Sequence, residues 1–197
     1  MSDQIINKLP SNSIPYFSGT NRSSQEHFLS LLNSASREII FFGLTCGFYL
    51  SKPIRQIIIQ KSQQIPIKIL ILHPQSKYRK ARYELEPAEA KYHDANYFKE
   101  TVIGRYRNLK HRCDKLGNSQ LEIYLYDFTP VFGLELIDET IRIRLYGYMK
   151  RGTDSPIFVL SRGTHIFGYF EDQIRSICKN THLVAIEKIQ TVRKLSQ

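Results

Sequence analysis

Two short apolar runs, EIIFFGL at 38–44 and PIKILIL at 66–72, constrain the fold of this chain more than any other feature. β-Branched and aromatic residues dominate them, and each is too short to be a helix with an apolar face. Between them, Ser51-Lys52-Pro53 opens a helix: a cap residue followed by an early proline. Strand, helix, strand is the pattern of a parallel crossover, and such a sheet is covered on both faces. Upstream, Ser23 and Glu26 have capping-box spacing, with Phe28, Leu31, Leu32 and Ala35 following on one face, so a helix is expected from Ser23.

After His73-Pro74 the pattern turns helical, with a break expected near Glu86-Pro87. Phe98, Val102, Tyr106, Leu109, Cys113 and Leu116 then form one apolar stripe, which Gly117 closes. Strands follow in LEIYLYD (121–127), VFGLELID (131–138), IRIRLYGYM (141–149) and PIFVL (156–160), the middle two joined by a junction short enough for a hairpin. HIFGYFEDQIRSIC is a final helix burying Ile166, Phe167, Phe170, Ile174 and Ile177, and HLVAIEKIQ has no single reading. The expected class is α/β: one mixed, partly parallel sheet flanked by helices. Residues 1–22 are expected as a polar arm, 23–190 as the domain and 191–197 as a tail.

The second constraint is charge. The 197 residues carry 28 Lys and Arg against 18 acids, a formal net charge of +10, which favours phosphate-bearing partners such as nucleotides or nucleic acid. Half of that excess sits in residues 77–117, with eleven basic and six acidic residues. Cys46, Cys113 and Cys178 are an odd, widely spaced set, read as the reduced thiols of a cytoplasmic protein. The start, MSDQIINKLPSNSIPYF, has no apolar core of a signal peptide, and Ile39 to Leu50 is too short to cross a bilayer.

Within IRIRLYGYMK the polar positions alternate: Arg142, Arg144, Tyr146, Tyr148 and Lys150 share one strand face, with Ile141, Ile143, Leu145 and Met149 on the other. Two readings stand. The arginines pair with acids on a neighbouring strand, for which Glu122 is the candidate, or the face is a platform where Arg grips phosphate and Tyr stacks. On the platform reading, Arg142→Gln, Arg144→Gln and Arg151→Gln weaken binding without changing the melting temperature. The following turn, Lys150-Arg151-Gly152-Thr153-Asp154-Ser155, is either a simple glycine turn or a phosphate cradle.

Together REIIFFG, IPIKILILHPQS, LEIYLYDFTPVFGLELIDE, LYGYMKRGTDSPIF and HIFGYFEDQIRSI, over roughly residues 24–178, resemble the phospholipase D-like superfamily. More narrowly they resemble a bacterial branch of uncharacterised domains, some attached to helix-turn-helix regulators. The shared words are Tyr126-Asp127, Pro130, Phe132, Ile137-Asp138-Glu139, Arg151-Gly152 and Ser155-Pro156. Catalytic members carry His-x-Lys-x4-Asp, in which the histidine is the nucleophile and the lysine holds phosphate. With Asp138 as the remnant aspartate, those two positions are Val131 and Gly133, and none of the six histidines is followed two residues on by lysine. The resemblance therefore implies a single phospholipase D-like half domain without the usual chemistry. It also implies a homodimer, since catalytic members need two motif-bearing halves.

Thr45 and His73 each follow the end of an expected parallel strand, the edge where ligands bind in such sheets. Cys46 with His73 as its base is a nucleophile–base pair on paper; a buried, inert thiol is the plainer alternative. Arg105, Arg107, Lys110, Arg112 and Lys115 crowd one helix, as a solvated face or as a track along nucleic-acid backbone, and KYRKAR at 77–82 extends it. No metal-ligand pattern and no cofactor motif stands out. The expected function is a non-catalytic, regulatory or sensory domain binding an anionic ligand. A phosphodiesterase or nuclease with a non-standard residue set, and a purely structural dimerisation module, are the alternatives.

Overall fold

The computed structural model describes residues 14–84, 94–147 and 150–189. The break expected at Glu86-Pro87, the side chain of Tyr148 and the tail at 191–197 lie outside them. The elements run β1 (Tyr16–Phe17), α1 (Arg22–Ser34), β2 (Ile39–Gly43), α2 (Lys52–Lys61), β3 (Ile67–Leu72), α3 (Lys77–Glu84), α4 (Ala95–Phe98), α5 (Gly104–Asp114), β4 (Leu121–Tyr126), β5 (Phe132–Ile137), β6 (Thr140–Leu145), β7 (Ile157–Ser161), α6 (His165–Cys178) and β8 (Val184–Ala185). They build the expected mixed α/β architecture.

The sheet has the order β1-β7-β6-β5-β2-β3-β4-β8. β2, β3 and β4 are parallel, as the helices between them require, and β5, β6 and β7 return as an antiparallel meander beside β2. Period-2 alternation divides the core. Ile39, Phe41, Ile67, Ile69, Ile71, Leu121, Ile123 and Leu125 face α1, α2 and α5, while Ile40, Phe42, Leu70, Leu72, Leu134, Leu136, Ile141 and Ile143 face α6. Each fully buried Phe or Leu, such as Phe28 and Leu32 of α1, contributes about 1.5–3 kcal/mol.

Several local expectations change. α1 is capped by Asn21, whose Oδ1 accepts from the Ser24 N–H at 2.9 Å; Glu26 pairs instead with Arg22, so the Ser23 capping box does not form. The stripe on the long helix is buried from Phe98 to Cys113 and gains Ile103, because a π turn at Lys99–Ile103 links α4 to α5. Leu116, expected on that stripe, is 59% exposed, since Gly117 at φ +102° turns the chain outward just after it. Ile166, expected inside α6, is also surface-exposed. Two short strands were not anticipated: β1, within the expected arm, pairs with β7, and β8 pairs with β4. Among the described residues no helix is long and apolar enough to cross a membrane.

Candidate functional site

β6 does not neighbour β4; it lies between β5 and β7. Glu122 therefore cannot be the partner of the strand arginines, and it pairs with Lys68 at 3.0 Å. The acid that faces them is Glu135. A two-residue hairpin loop, with Ile137 opposite Thr140, sets Glu135 opposite Arg142 and Gly133 opposite Arg144. Glu135 Oε2 lies 3.1 Å from Arg142 Nη1, and both side chains are almost completely buried.

Other groups complete this pair. The Tyr49 hydroxyl donates to Glu135 Oε1 at 2.8 Å. Arg142 Nη2 donates to the Ser24 hydroxyl and carbonyl at 2.7 and 3.1 Å, and its guanidinium lies over the Phe28 and Phe17 rings. The expected solvent-facing platform is thus, at Arg142, a buried ionic cluster beneath α1. A buried pair with supporting hydrogen bonds is near neutral for stability when whole and costly when broken. The Gln exchange at Arg142 is accordingly not silent.

One residue pair further along the strands, the cluster opens into a pocket of about 260 Å³ at the carboxyl end of β2. Leu44, Thr45, Cys46 and Gly47 form one wall, Gly133 and Glu135 the floor, Arg144 and Tyr146 the opposite side, and Arg151, Gly152 and Thr153 the rim. It lies beside the change from parallel to antiparallel pairing around β2, at the sheet edge where ligands of such folds bind. The volume is a little under the usual range for drug-sized ligands, about 300–1,000 Å³, and suits a compact polar group.

Tyr146 closes one side. β6 ends at Leu145, and the Tyr146 ring passes over Gly133 so that its hydroxyl accepts the Leu44 N–H at 3.2 Å. A Cβ on Gly133 would lie only 2.9 Å from that oxygen, so the missing side chain is what admits the phenol. Among the described residues the phenol hydrogen has no acceptor. Burial raises the Tyr146 pKa, so the group stays a neutral donor.

The remaining cations differ sharply. Arg142 is neutralised by Glu135. Arg144 donates from Nη2 to the Thr20 hydroxyl at 3.2 Å, has a buried Nε without a hydrogen-bond partner, and has no acid partner among the described residues. Arg151 is exposed and likewise has no acid partner. Its loop is held from below: Arg82 of α3 donates to the carbonyls of Gly147 and Lys150 at 2.9 and 3.3 Å, and lies over the Tyr146 ring.

Of the residues expected to bind, the pocket gathers Thr45, Arg142, Arg144, Tyr146 and Arg151. His73, Lys150 and Ser155 do not line it. His73 Nδ1 accepts the Gln75 N–H, and the buried Ser155 hydroxyl donates to the Arg151 carbonyl, which braces the turn. Cys46 sits at φ +49°, half-buried on the pocket; desolvation first, and then the Glu135 charge, push its pKa well up. That is the opposite of an activated nucleophile, and His73 is not within the pocket to act as its base.

Sequence reasoning missed Glu135, Tyr49 and the touch of Thr20. A lone acid inside VFGLELI was the available signal, because a buried carboxylate needs a cation. Asp138, the motif remnant, lies at the far end of β5. It sits at φ +50° and accepts the N–H groups of Ser36, Arg37 and Glu38 at 2.8, 2.9 and 3.0 Å, holding the start of β2. No group of three or more metal-binding side chains gathers among the described residues.

An open mixed sheet flanked by helices, with a pocket at the carboxyl end of β2, defines the class: a single α/β domain. Known structures place the fold further. Phosphatidylserine synthase from Haemophilus influenzae superposes with a TM-score of 0.59 at 10% identity, over 92% of this chain and 42% of that one. NucT from Helicobacter pylori superposes with a TM-score of 0.50 at 8% identity, over 88% of this chain and 98% of that one. TrmBL2, an archaeal chromatin protein whose structure shows a mode of DNA binding, gives 0.49 at 17% identity over 87% and 54%. The chain thus spans about half the length of TrmBL2 and less than half of the synthase. Phosphatidylserine synthase and NucT carry the phospholipase D-like fold, and that fold is what this chain shares with them. No protein-family model and no curated protein matches the sequence.

Proposed function

We propose that this domain binds a phosphate-bearing ligand, a nucleotide or a nucleic-acid phosphate, in the pocket between β2 and the Arg151 turn. The role is regulatory or sensory, without the histidine–lysine chemistry of catalytic phospholipase D-like proteins. The observation that carries this reading is Arg144: it lines the pocket and has no acid within ion-pair distance among the described residues. Arg151 adds a second cation without an acid partner among the described residues, and the Tyr146 hydroxyl and Thr45 add neutral polar groups. Charge-assisted bonds to phosphate are the natural use of such a set. Val131 and Gly133, at the positions of the nucleophile and its phosphate partner, and the raised thiol of Cys46 support binding over turnover.

Thermal shift with a panel of nucleotides and short oligonucleotides tests this directly. A ligand at 100 times its Kd adds about 2.7 kcal/mol of stability. Arg144→Gln and Arg151→Gln are each expected to weaken binding roughly 10- to 100-fold, the loss of one charged hydrogen bond. No shift with any phosphate compound, or sustained hydrolysis of bis-nitrophenyl phosphate by pure protein that survives His73→Ala, overturns the reading.

A further inference from the structure

Outside the pocket, α5 divides sharply into an apolar and a basic side. Its inward side, Tyr106, Leu109 and Cys113, is fully buried against the sheet. Its outward side carries Arg105, Asn108, Arg112 and, just past the helix end, Lys115, at successive spacings of three, four and three residues. All four are exposed and lie on one line along the helix.

Among the described residues, five cations elsewhere on the surface have acids. Arg22 holds Glu26, Arg37 and Arg162 share Glu139, Lys68 holds Glu122, and Arg175 holds Glu38 and Glu171. On α5 itself the one acid, Asp114, is taken by Lys110 at 2.6 Å, and Lys110 also approaches Glu187. Arg105, Arg112 and Lys115 have no acid partner among the described residues. Helix stability explains only part of the stripe. Arg112 and Lys115 lie in the last turn, where the helix dipole favours cations. Arg105 lies midway along the continuous α4–α5 helix and gains nothing there.

We propose that this face of α5 is a docking track for the sugar–phosphate backbone of duplex nucleic acid, read without sequence preference and separate from the pocket. From Arg105 to Lys115 the track is about 15 Å long at 1.5 Å per residue, about four to five base-pair steps. A lipid surface is the poorer fit, because a helix lying in a membrane interface needs an exposed apolar face. The apolar face of α5 is used up in the core.

Fluorescence anisotropy with a labelled 25-base-pair duplex, titrated between 50 and 200 mM KCl, tests the track. Neutralising three phosphate contacts lowers the slope of log K against log salt by about 2.7, so Arg105→Gln, Arg112→Gln and Lys115→Gln combined should flatten it by that amount. A control with the same loss of charge elsewhere, Arg22→Gln, Arg37→Gln and Lys179→Gln, should change the slope by less than one. The α5 triple variant should keep the wild-type thermal shift with a mononucleotide, since none of its three residues lines the pocket, which separates the track from the pocket. The inference fails if wild-type protein binds no duplex at 50 mM salt, if the two triple variants behave alike, or if the α5 variant loses only retention on anionic vesicles.

Discussion

At the scale of single residues, one strand carries two arginines with different jobs. Arg142 and Arg144 are two positions apart on the same face, yet one is 3% exposed against a carboxylate and the other opens into the pocket. Removing one partner of a buried pair leaves an uncompensated charge, at a cost of about 3–5 kcal/mol. Arg142→Gln is therefore expected to lower the melting temperature strongly. Arg144→Gln loses only its bond to Thr20, about 1 kcal/mol. Replacing both Arg142 and Glu135 by apolar residues of similar volume should recover most of the loss. Chemical denaturation of the three variants decides this; equal stability of the two single variants would show that the buried pair is not coupled.

At the scale of elements, Asp138 joins the β5–β6 hairpin to the start of β2. Burial opposes its ionisation, but the N–H groups of Glu38, Ser36 and Arg37 outweigh it and hold its carboxyl below the usual value. A depressed carboxyl binds fewer protons folded than unfolded, so its contribution is present above about pH 3.9 and is lost as pH falls through the folded value. His27 and His73 are both lowered by burial, so a separate loss should begin as pH falls below about 6.5. Melting temperature against pH should fall in two stages, and Asp138→Asn should flatten only the lower one. Asp138→Ala removes the three backbone N–H bonds and the one from the Ser36 hydroxyl, and should cost about 0.5–2 kcal/mol, as for a lost helix cap. A lower limb unchanged in Asp138→Asn would assign it to other carboxylates.

At the scale of the whole molecule, several large apolar side chains in or beside β5, β6 and α6 reach the surface. Leu145 pairs across from Phe132, whose ring meets Phe170, which in turn meets Tyr169; Val131 is the residue before Phe132. Val131, Leu145 and Tyr169 are 62%, 50% and 56% exposed. Contiguous exposed apolar surface favours association, and a two-fold pairing buries the same patch on both copies. We predict a homodimer through this surface. Light scattering should report twice the chain mass at tens of micromolar, and Tyr169→Glu should shift it to monomer. Monomer alone for the wild type at that concentration would overturn the prediction.

Much of this fold was legible beforehand because its signals are local. The apolar runs at 38–44 and 66–72, the Ser51-Lys52-Pro53 start and the short hairpin at Asp138 each state their structure within a few residues. What failed was partnership. Glu122 and Glu135 both lie in strands, and nothing local says which strand stands beside β6. The short hairpin did hold the answer for Glu135, since a two-residue loop forces 135 opposite 142.

The sequence by itself determined the class of fold, the charge of the molecule and the absence of histidine and lysine at Val131 and Gly133, because these depend on residue type and spacing alone. Only the tertiary structure decided which of these two cations meets an acid. Arg142 and Arg144 are chemically identical and share one strand face; a carboxylate from the neighbouring strand, itself held by a tyrosine from the loop after β2, and a serine from α1 bond the first and not the second. Such convergence joins residues more than a hundred positions apart, and it is set by the sheet order and by which helix covers which end of a strand.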